Sequence, residues 1–376
     1  MAALVFSLFF LLVVMYPFVI YPAVLTLLPR KPYPQSAPDG EVSSAALLFC
    51  AYNEQDSLPA KIDNIRLLKD RCPDLEVKAY SDCSTDQTLD LLVGADDVIS
   101  VIAGDRRLGK ATGMKRLVDS TQAEIIICTD ANVILQDDAV SRILSYFRDP
   151  SIGTVAGTLH YINENEGQTA RVGSLFWRLE EWTKRQESES GSTMGADGSI
   201  FAIRRSLYPS VPPNLLDDLI ASISPLFAGY RVVSAPDVHA YERATTNASD
   251  EFKRKRRIAC RAYNTHRFLA PKLRTLSGLD KFKYFSHKYL RWFSLLTMLL
   301  FAGSFIMALS TVVGTPTALA IGLGGLALLA SASRLGVPLV GAIGEMVSSI
   351  TAVGIGVMDA MVGRDYQTWD PAKSRN

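Results

Sequence analysis

Residues 4–28, LVFSLFFLLVVMYPFVIYPAVLTLL, form an apolar run without a single charge, followed by Arg30 and Lys31. A helix needs ~20 apolar residues to cross a bilayer core, so this run is long enough. A cleaved signal peptide has a basic start and a shorter apolar core. Here the basic residues follow the run, which predicts an outside N-terminus and a cytosolic continuation. Three more apolar segments, 293–313, 315–333 and 336–361, lie near the other end. The first follows KFKYFSHKYLRW (281–292), whose Lys, Tyr and Trp mixture predicts an interfacial helix, with an ordinary surface helix as the alternative. The polar middle, roughly 40–280, is therefore expected to be a domain held to a membrane at both ends. One span before it and three after would leave the C-terminus outside, whereas Arg364, Lys373 and Arg375 favour the inside. The last segment carries Glu345, a costly residue in lipid, and is the candidate for one that does not fully cross.

With 376 residues and 48% hydrophobic content, the chain can bury a sizeable core and has room for two or three units. A net charge of +1 gives no field that would attract nucleic acid. Cys50, Cys72, Cys83, Cys128 and Cys260 show no C-x-x-C spacing and read as small buried residues in a reducing cytosol. In that compartment the sequon Asn247-Ala248-Ser249 is irrelevant to glycosylation.

The middle alternates strand and helix signals. AALLFC (45–50), EVKAYSD (76–82), DVISVIA (97–103) and EIIICTD (124–130) read as strands. LPAKIDNIRLLKD, STDQTLDLLV and LGKATGMKRLVDST read as the helices between them. Such alternation predicts an α/β fold with a mostly parallel sheet, whose ligands bind beyond the carboxyl ends of the strands. The residues there are Ala51, Tyr52, Asn53 and Glu54, then Ser81, Asp82, Ser84, Thr85 and Asp86. Arg106, Arg107 and Lys110 follow the third strand, and Asp130 and Asn132 the fourth. Neither G-x-G-x-x-G nor a Walker sequence is present, which argues against a dinucleotide or a P-loop nucleotide. Each residue taken singly reads as a cap or a solvated charge. Jointly they suit a nucleoside diphosphate: Asp82 to accept a base imide proton, Lys110 to neutralise phosphate, Asp130 to hold a hard divalent cation.

CAYNE, SDCSTDQT, GKATGMK and TDAN, in this order, resemble the family 2 glycosyltransferases of the GT-A fold. MGADGSIFAIRRSLYP (194–209), LLDDLIASISPLFAGYRVVSAPDVHAYERA (215–244) and GRDYQTWDP (363–371) resemble the membrane-bound bacterial branch, which includes hyaluronan, cellulose and poly-N-acetylglucosamine synthases. The resemblance implies an N-terminal transmembrane helix (1–29) and a GT-A catalytic domain (40–248). Basic and interfacial helices (249–292), a C-terminal transmembrane region of two or three spans (293–361) and a tail (362–376) follow.

The reaction it implies is inverting transfer of a sugar from a nucleotide-diphosphate donor to an acceptor hydroxyl. Asp82 is then expected at the base, usually uracil, with Ala51, Tyr52 and Glu54 along the nucleoside and Lys110 at the diphosphate. Asp130 stands at the first acid of the family's D-x-D metal motif for Mg²⁺ or Mn²⁺. Asn132 replaces the second acid, able to ligate only through its carbonyl oxygen. Asp218, with Asp217 beside it, is the expected general base, since inverting transfer needs a carboxylate opposite the leaving group. Without the resemblance, two acids opening a helix read equally as a favourable pair at its dipole.

Gly195, Asp197 and Gly198 fall where the family builds its acceptor-side loop, with turn chemistry explaining the glycines equally well, and Arg204 and Arg205 are candidates to face phosphate. Arg257 and Arg261, four apart on one helix face, suit a diphosphate clamp, with a basic face beside anionic lipid as the alternative. The Gln and Trp of the Q-x-x-R-W signature of processive relatives are missing, which favours addition of one or few sugars. Trp177 and Trp182 are then candidates for an acceptor platform, with packing at the membrane interface as the alternative. The expectation is a cytoplasm-facing enzyme of the bacterial inner membrane that moves sugar from a UDP-sugar to a lipid-linked or growing glycan acceptor. The competing classes are a glycan or lipid-carrier transporter with a regulatory domain, and a degenerate binding module.

Overall fold

A computed structural model of the protein describes residues 1–31, 44–334 and 338–369. The expectations for Lys373 and Arg375, and the Asp-Pro end of GRDYQTWDP, lie outside these residues. Helix α1 (Ala2–Leu25) takes up Pro17 in a π-helical turn over Tyr16–Ile20. The domain then runs β1 (Ala45–Ala51), α2 (Leu58–Arg71), β2 (Glu76–Ser81), α3 (Thr88–Val93), β3 (Ser100–Ala103), α4 (Lys110–Asp119) and β4 (Ile125–Thr129). The expected four strands and three helices are thus present.

Strand β1 is buried at all seven positions because both of its faces are covered. Ala45, Leu47 and Phe49 pack with Leu58, Ile62, Ile65 and Leu68 of α2 on one face. Ala46, Leu48 and Cys50 pack with Met114 and Leu117 of α4 on the other. Each fully buried Leu or Ile here contributes roughly 1.5–3 kcal/mol.

The second half supplies β5 (Ile134–Leu135), α5 (Ala139–Tyr146), β6 (Ile152–Tyr161), α6 (Gln168–Glu189), β7 (Ile200–Arg204), α7 (Asp217–Phe227) and β8 (Arg231–Glu242). The sheet order is β3-β2-β1-β4-β7-β6-β8-β5. β7 runs against β4 and β6, and β5 against β8, while the other six strands share one direction. The sheet is mostly parallel, as expected, with two reversed strands.

Helix α8 (Ala248–Leu273) starts at the sequon, whose Asn247 side chain caps it by accepting from the Ser249 and Asp250 N–H groups. The 281–292 segment lies in α9 (Gly278–Tyr284) and its helical continuation to Trp292. Instead of presenting its polar side chains to a surface, it turns several of them inward: Lys283, His287 and Trp292 are buried. Helices α10 (Ser294–Val313) and α11 (Thr315–Arg334) follow, and α10 packs beside α1.

Helix α12 (Pro338–Met361) differs from the other apolar helices because it packs along α8 of the domain. Lys255 Nζ donates to Ser349 Oγ at 2.6 Å, and Arg256 pairs with Asp359 at 2.5 and 3.0 Å. A β-carbon on Gly356 would collide with the Arg256 carbonyl. Glu345 accepts from Thr169 Oγ1 at 3.1 Å, at the start of α6. The acid therefore meets a protein partner, which removes the cost of leaving it alone in lipid.

Candidate active site

The carboxyl ends of β1, β2 and β4 converge as the alternating pattern predicts. Asp82 is fully buried beyond β2 and accepts from the Leu108 and Gly109 N–H groups at 2.8 and 3.0 Å. Those two bonds fix the entry to α4, where Gly109 takes φ +84, a conformation side chains resist. Lys110, the next residue, reaches 2.5 Å from Asp130 Oδ1. From below, fully buried Lys61 supports the turn after β4, with Nζ donating to the Val133 carbonyl at 2.6 Å. Thr129 Oγ1 ties the same turn to the Ser199 carbonyl at 2.8 Å.

The loop that carries Gly195, Asp197 and Gly198 closes onto this point. Gly195 is at φ +95. A β-carbon on Gly198 would lie 2.9 Å from Lys110 Nζ and 3.5 Å from Oδ2 of both Asp130 and Asp218. Lys110, Asp130 and Asp218 therefore meet around one glycine, which leaves space that any side chain would fill. Asp197 does not face the opening freely: its oxygens accept from Lys184 at 2.9 Å and from the Ser199 N–H at 3.1 Å.

Asp217 and Asp218 open α7. Asp217 is buried and lies 3.9 Å from Arg261, whose guanidinium also donates to the Leu215 carbonyl. Asp218 is half-buried, accepting from the Leu219 N–H at 2.7 Å. Burial, and after it the Asp217 charge, push its carboxyl up to about 6 against the pull of Lys110. Burial by itself would lower the Lys110 ammonium, but Asp130, Asp217 and Asp218 outweigh it and hold the group above its ordinary value.

These residues line a cleft of about 1010 Å³. Its acidic wall includes Asp130, Asp218 and Glu242, and its basic wall is the face of α8 with Lys253, Arg254, Arg257 and Arg261. Of the expected donor residues, Glu54, Lys110, Asp130, Arg257 and Arg261 reach the cleft. Ala51, Tyr52 and Asp82 lie under a cover formed by the segment after α12. Its Trp369 meets the Tyr52 ring edge-on at 6.2 Å, and its Gln367 donates to the Leu108 carbonyl at 3.1 Å. Arg107 stacks 3.5 Å from the Tyr52 ring.

Two expectations are corrected. Trp182 is not in the cleft, whereas Trp177 is. Five helical residues amount to ~500° of rotation, so the two indoles point in different directions. Arg204 faces no phosphate: it bonds the carbonyls of Phe147, Asp149 and Ile152 at 2.8–3.1 Å and so locks the corner between α5 and β6. Sequence reasoning missed Glu242, although it ends a strand as Asp82 and Asp130 do, because only the first four strands were followed to their carboxyl ends.

The donor set fits a hard divalent cation. Asp130 presents a part-exposed carboxylate, and the Asn132 amide commits its NH₂ end to Glu242 at 2.9 Å, which leaves its oxygen end for a ligand. Chemically, the cleft pairs an acid of raised pKa with a fixed ammonium and a basic wall. That combination suits proton removal from a hydroxyl beside a departing anion.

The pattern of glycosyl transferase family 2 matches residues 47–211. Poly-beta-1,6-N-acetyl-D-glucosamine synthase of Staphylococcus aureus (strain MSSA476) is 24% identical over 208 residues, 52% of this chain and 49% of that protein. The Staphylococcus epidermidis enzyme of the same name is 21% identical over 178 residues, covering 46% and 42%. The chain thus spans about half the length of the curated relatives it matches. A mannosyltransferase from Pyrobaculum calidifontis, solved with GDP-Man and Mn²⁺, shares the fold at a TM-score of 0.73 and 18% identity, covering 95% of this chain and 98% of that one. The matched pattern over residues 47–211 and the related synthases support a family 2 glycosyltransferase, and the shared fold is of the GT-A kind.

Proposed function

We propose that the protein is an inverting transferase that moves a sugar from a UDP-sugar to a lipid-linked or growing glycan acceptor at the cytoplasmic face of a membrane. The observation that carries this reading is the meeting of Lys110, Asp130 and Asp218 around Gly198. Asp218, raised to about 6, is poised to take the proton of the acceptor hydroxyl near neutral pH. Lys110 and the α8 arginines would hold the diphosphate, and Arg261 keeps Asp217 and the start of α7 in place. Asp130 and the Asn132 carbonyl oxygen would hold Mg²⁺ or Mn²⁺, which supplies charge neutralisation to the leaving diphosphate. Trp177, beside Tyr161 at 6.0 Å, offers an aromatic wall for an acceptor sugar.

The apolar helices support the topology. Among the described residues α1, α10 and Val340–Met361 of α12 are long and apolar enough to cross a membrane. With these three as spans, the catalytic domain and the segment after α12 share one side, which Arg30, Lys31 and Arg364 mark as the cytoplasmic side.

The test is UDP release by the detergent-solubilised protein from a panel of UDP-sugars with Mg²⁺, Mn²⁺ or EDTA and membrane lipid extract, with GDP-mannose alongside. Metal-dependent UDP release from one donor, lost in Asp218→Asn, is the expected result. Release from GDP-mannose alone would overturn the uridine assignment. Release that persists in Asp218→Asn would overturn the base assignment.

A further inference from the structure

Strand β8 ends on Glu242, and its register places that acid beside the metal turn. β5 pairs antiparallel with β8, Ile134 opposite Tyr241, so the residue before Ile134 lies across from Glu242. The Glu242 carbonyl accepts from the Ile162 N–H at 3.0 Å, which fixes the backbone there. The side chain is 5% exposed, lines the same cleft as Asp130 and Asp218, and accepts from Asn132 Nδ2 at 2.9 Å.

A carboxamide has one donating and one accepting end. Glu242 takes only protons, so it selects the NH₂ end of Asn132 and turns Oδ1 away from itself. At the same time it places a negative charge one hydrogen bond from the position where this chain carries Asn in place of an acid. We propose that Asn132 and Glu242 divide the work of a single second carboxylate: Asn132 supplies the ligating oxygen, and Glu242, as a positioning residue, orients it and restores the missing charge of the cation site. This rests on the reading of Asp130 and Asn132 as that site.

The division has a consequence opposite to what the Asn132 substitution alone implies. Asn132→Asp puts the second acid back, yet it removes the donor and sets two carboxylates against each other at hydrogen-bond separation, where like charges repel. The exchange Asn132→Asp with Glu242→Gln keeps both the total charge and the hydrogen bond, with donor and acceptor reversed.

The measurement is Mn²⁺ binding to the full-length protein in detergent, read from the electron paramagnetic resonance signal of free Mn²⁺ with UDP present as the probe. Thermal unfolding of each variant runs alongside. Removing the partner that orients a metal ligand costs roughly 10–100-fold in affinity, and Glu242→Ala is expected in that range. Asn132→Asp is expected to bind more weakly than the wild type, and the double exchange to return to within about threefold of it, since both partners are again satisfied. The double exchange keeps the buried contact intact, so it reports on the proposal even where Glu242→Ala unfolds. Unchanged affinity in Glu242→Ala, or tighter binding in Asn132→Asp alone, would overturn the proposal. Asp130→Asn separates the two claims: if it leaves Mn²⁺ affinity unchanged, the cation-site reading itself fails.

Discussion

Glu187 and Asp218 are acids on helices of one domain, yet their carboxyls stand on opposite sides of the usual carboxylate range. Burial would raise both. For Glu187 the nearby His287, together with hydrogen bonds, overcomes it and holds the carboxyl at about 2. For Asp218, burial and the neighbouring Asp217 prevail, at about 6. The difference lies in how completely each group is satisfied. Glu187 accepts from Tyr21 at 2.5 Å, from Thr193 Oγ1 at 3.0 Å and from the Met194 N–H at 3.1 Å, with His287 Nδ1 at 2.8 Å. His287 in turn lies 2.8 Å from Glu180, which Arg291 also reaches. This sealed group ties the end of α1 and the segment after α9 to the root of the loop that carries Gly195, Asp197 and Gly198. Asp218 has one backbone donor and an opening. A saturated carboxylate holds structure, whereas an unsaturated one is left for a substrate.

The strongest way to break this contrast is to neutralise each acid. Asp218→Asn should lower the turnover of donor and acceptor by ~10²–10⁴, the range for loss of a general base. Its thermal midpoint should stay level or rise, because a poorly satisfied buried charge is removed. Glu187→Ala should do the reverse and destabilise the fold by roughly 3–5 kcal/mol, since it strands buried partners. Turnover per folded molecule should change far less. Thermal unfolding and steady-state rates on the same preparations check both. Equal loss of stability in the two variants would erase the distinction.

A pH series sharpens it without mutation. In its proposed role Asp218 takes a proton only when ionised, so kcat/KM should rise with pH through about 6 and fall off below it. Glu187 has its folded value, about 2, below the ~4.3 of an unfolded Glu. Its stabilisation is therefore complete above ~4.3 and is lost as pH falls from there towards the folded value. Between pH ~6 and ~4.5 the protein should lose activity while its thermal midpoint does not fall: Glu187 still contributes there, and protonation of Asp218, whose folded value lies above the ~3.9 of an unfolded Asp, adds stability.

The cluster at the strand ends was legible because each of the first four strands is a short apolar run whose carboxyl end carries its polar residues directly behind it. Asp82, Lys110 and Asp130 announce themselves by position. The sealed group was not legible: Tyr21, Glu187 and His287 are separated by 166 and 100 residues, and no local period links them. The partners of helix α12 were not legible for a different reason. Apolarity records that a residue avoids water, and says nothing of whether lipid or protein takes its place. Ser349, Gly356 and Asp359 make sense only once α8 lies against them. The pair of acids was intermediate: two acids opening a helix are visible, but that Arg261, over forty residues on, lies beside Asp217 is not.

Two lysines, one in each region, give the finest test, because the same change should matter at one site and hardly at the other. Lys283 belongs to the sealed group, donating to the Glu187 and Ser192 carbonyls at 2.8 and 3.1 Å. Burial pushes its ammonium down to about 8, so the charge is already costly to keep. Lys283→Met keeps the apolar stem, gives up two hydrogen bonds and removes that cost, so stability should move by only ~1–2 kcal/mol. Lys110→Met loses a cation that three acids hold in the cleft, and turnover should fall by ~10²–10³, the scale for removing one electrostatic stabiliser of a developing charge. Asp130, Asp217 and Asp218 would then face one another with less to offset them, so the activity profile of Lys110→Met should also shift to higher pH. A rate in Lys283→Met as low as in Lys110→Met would mean that the sealed group reaches the chemistry through Thr193 and Met194, and the division between the two regions would have to be abandoned.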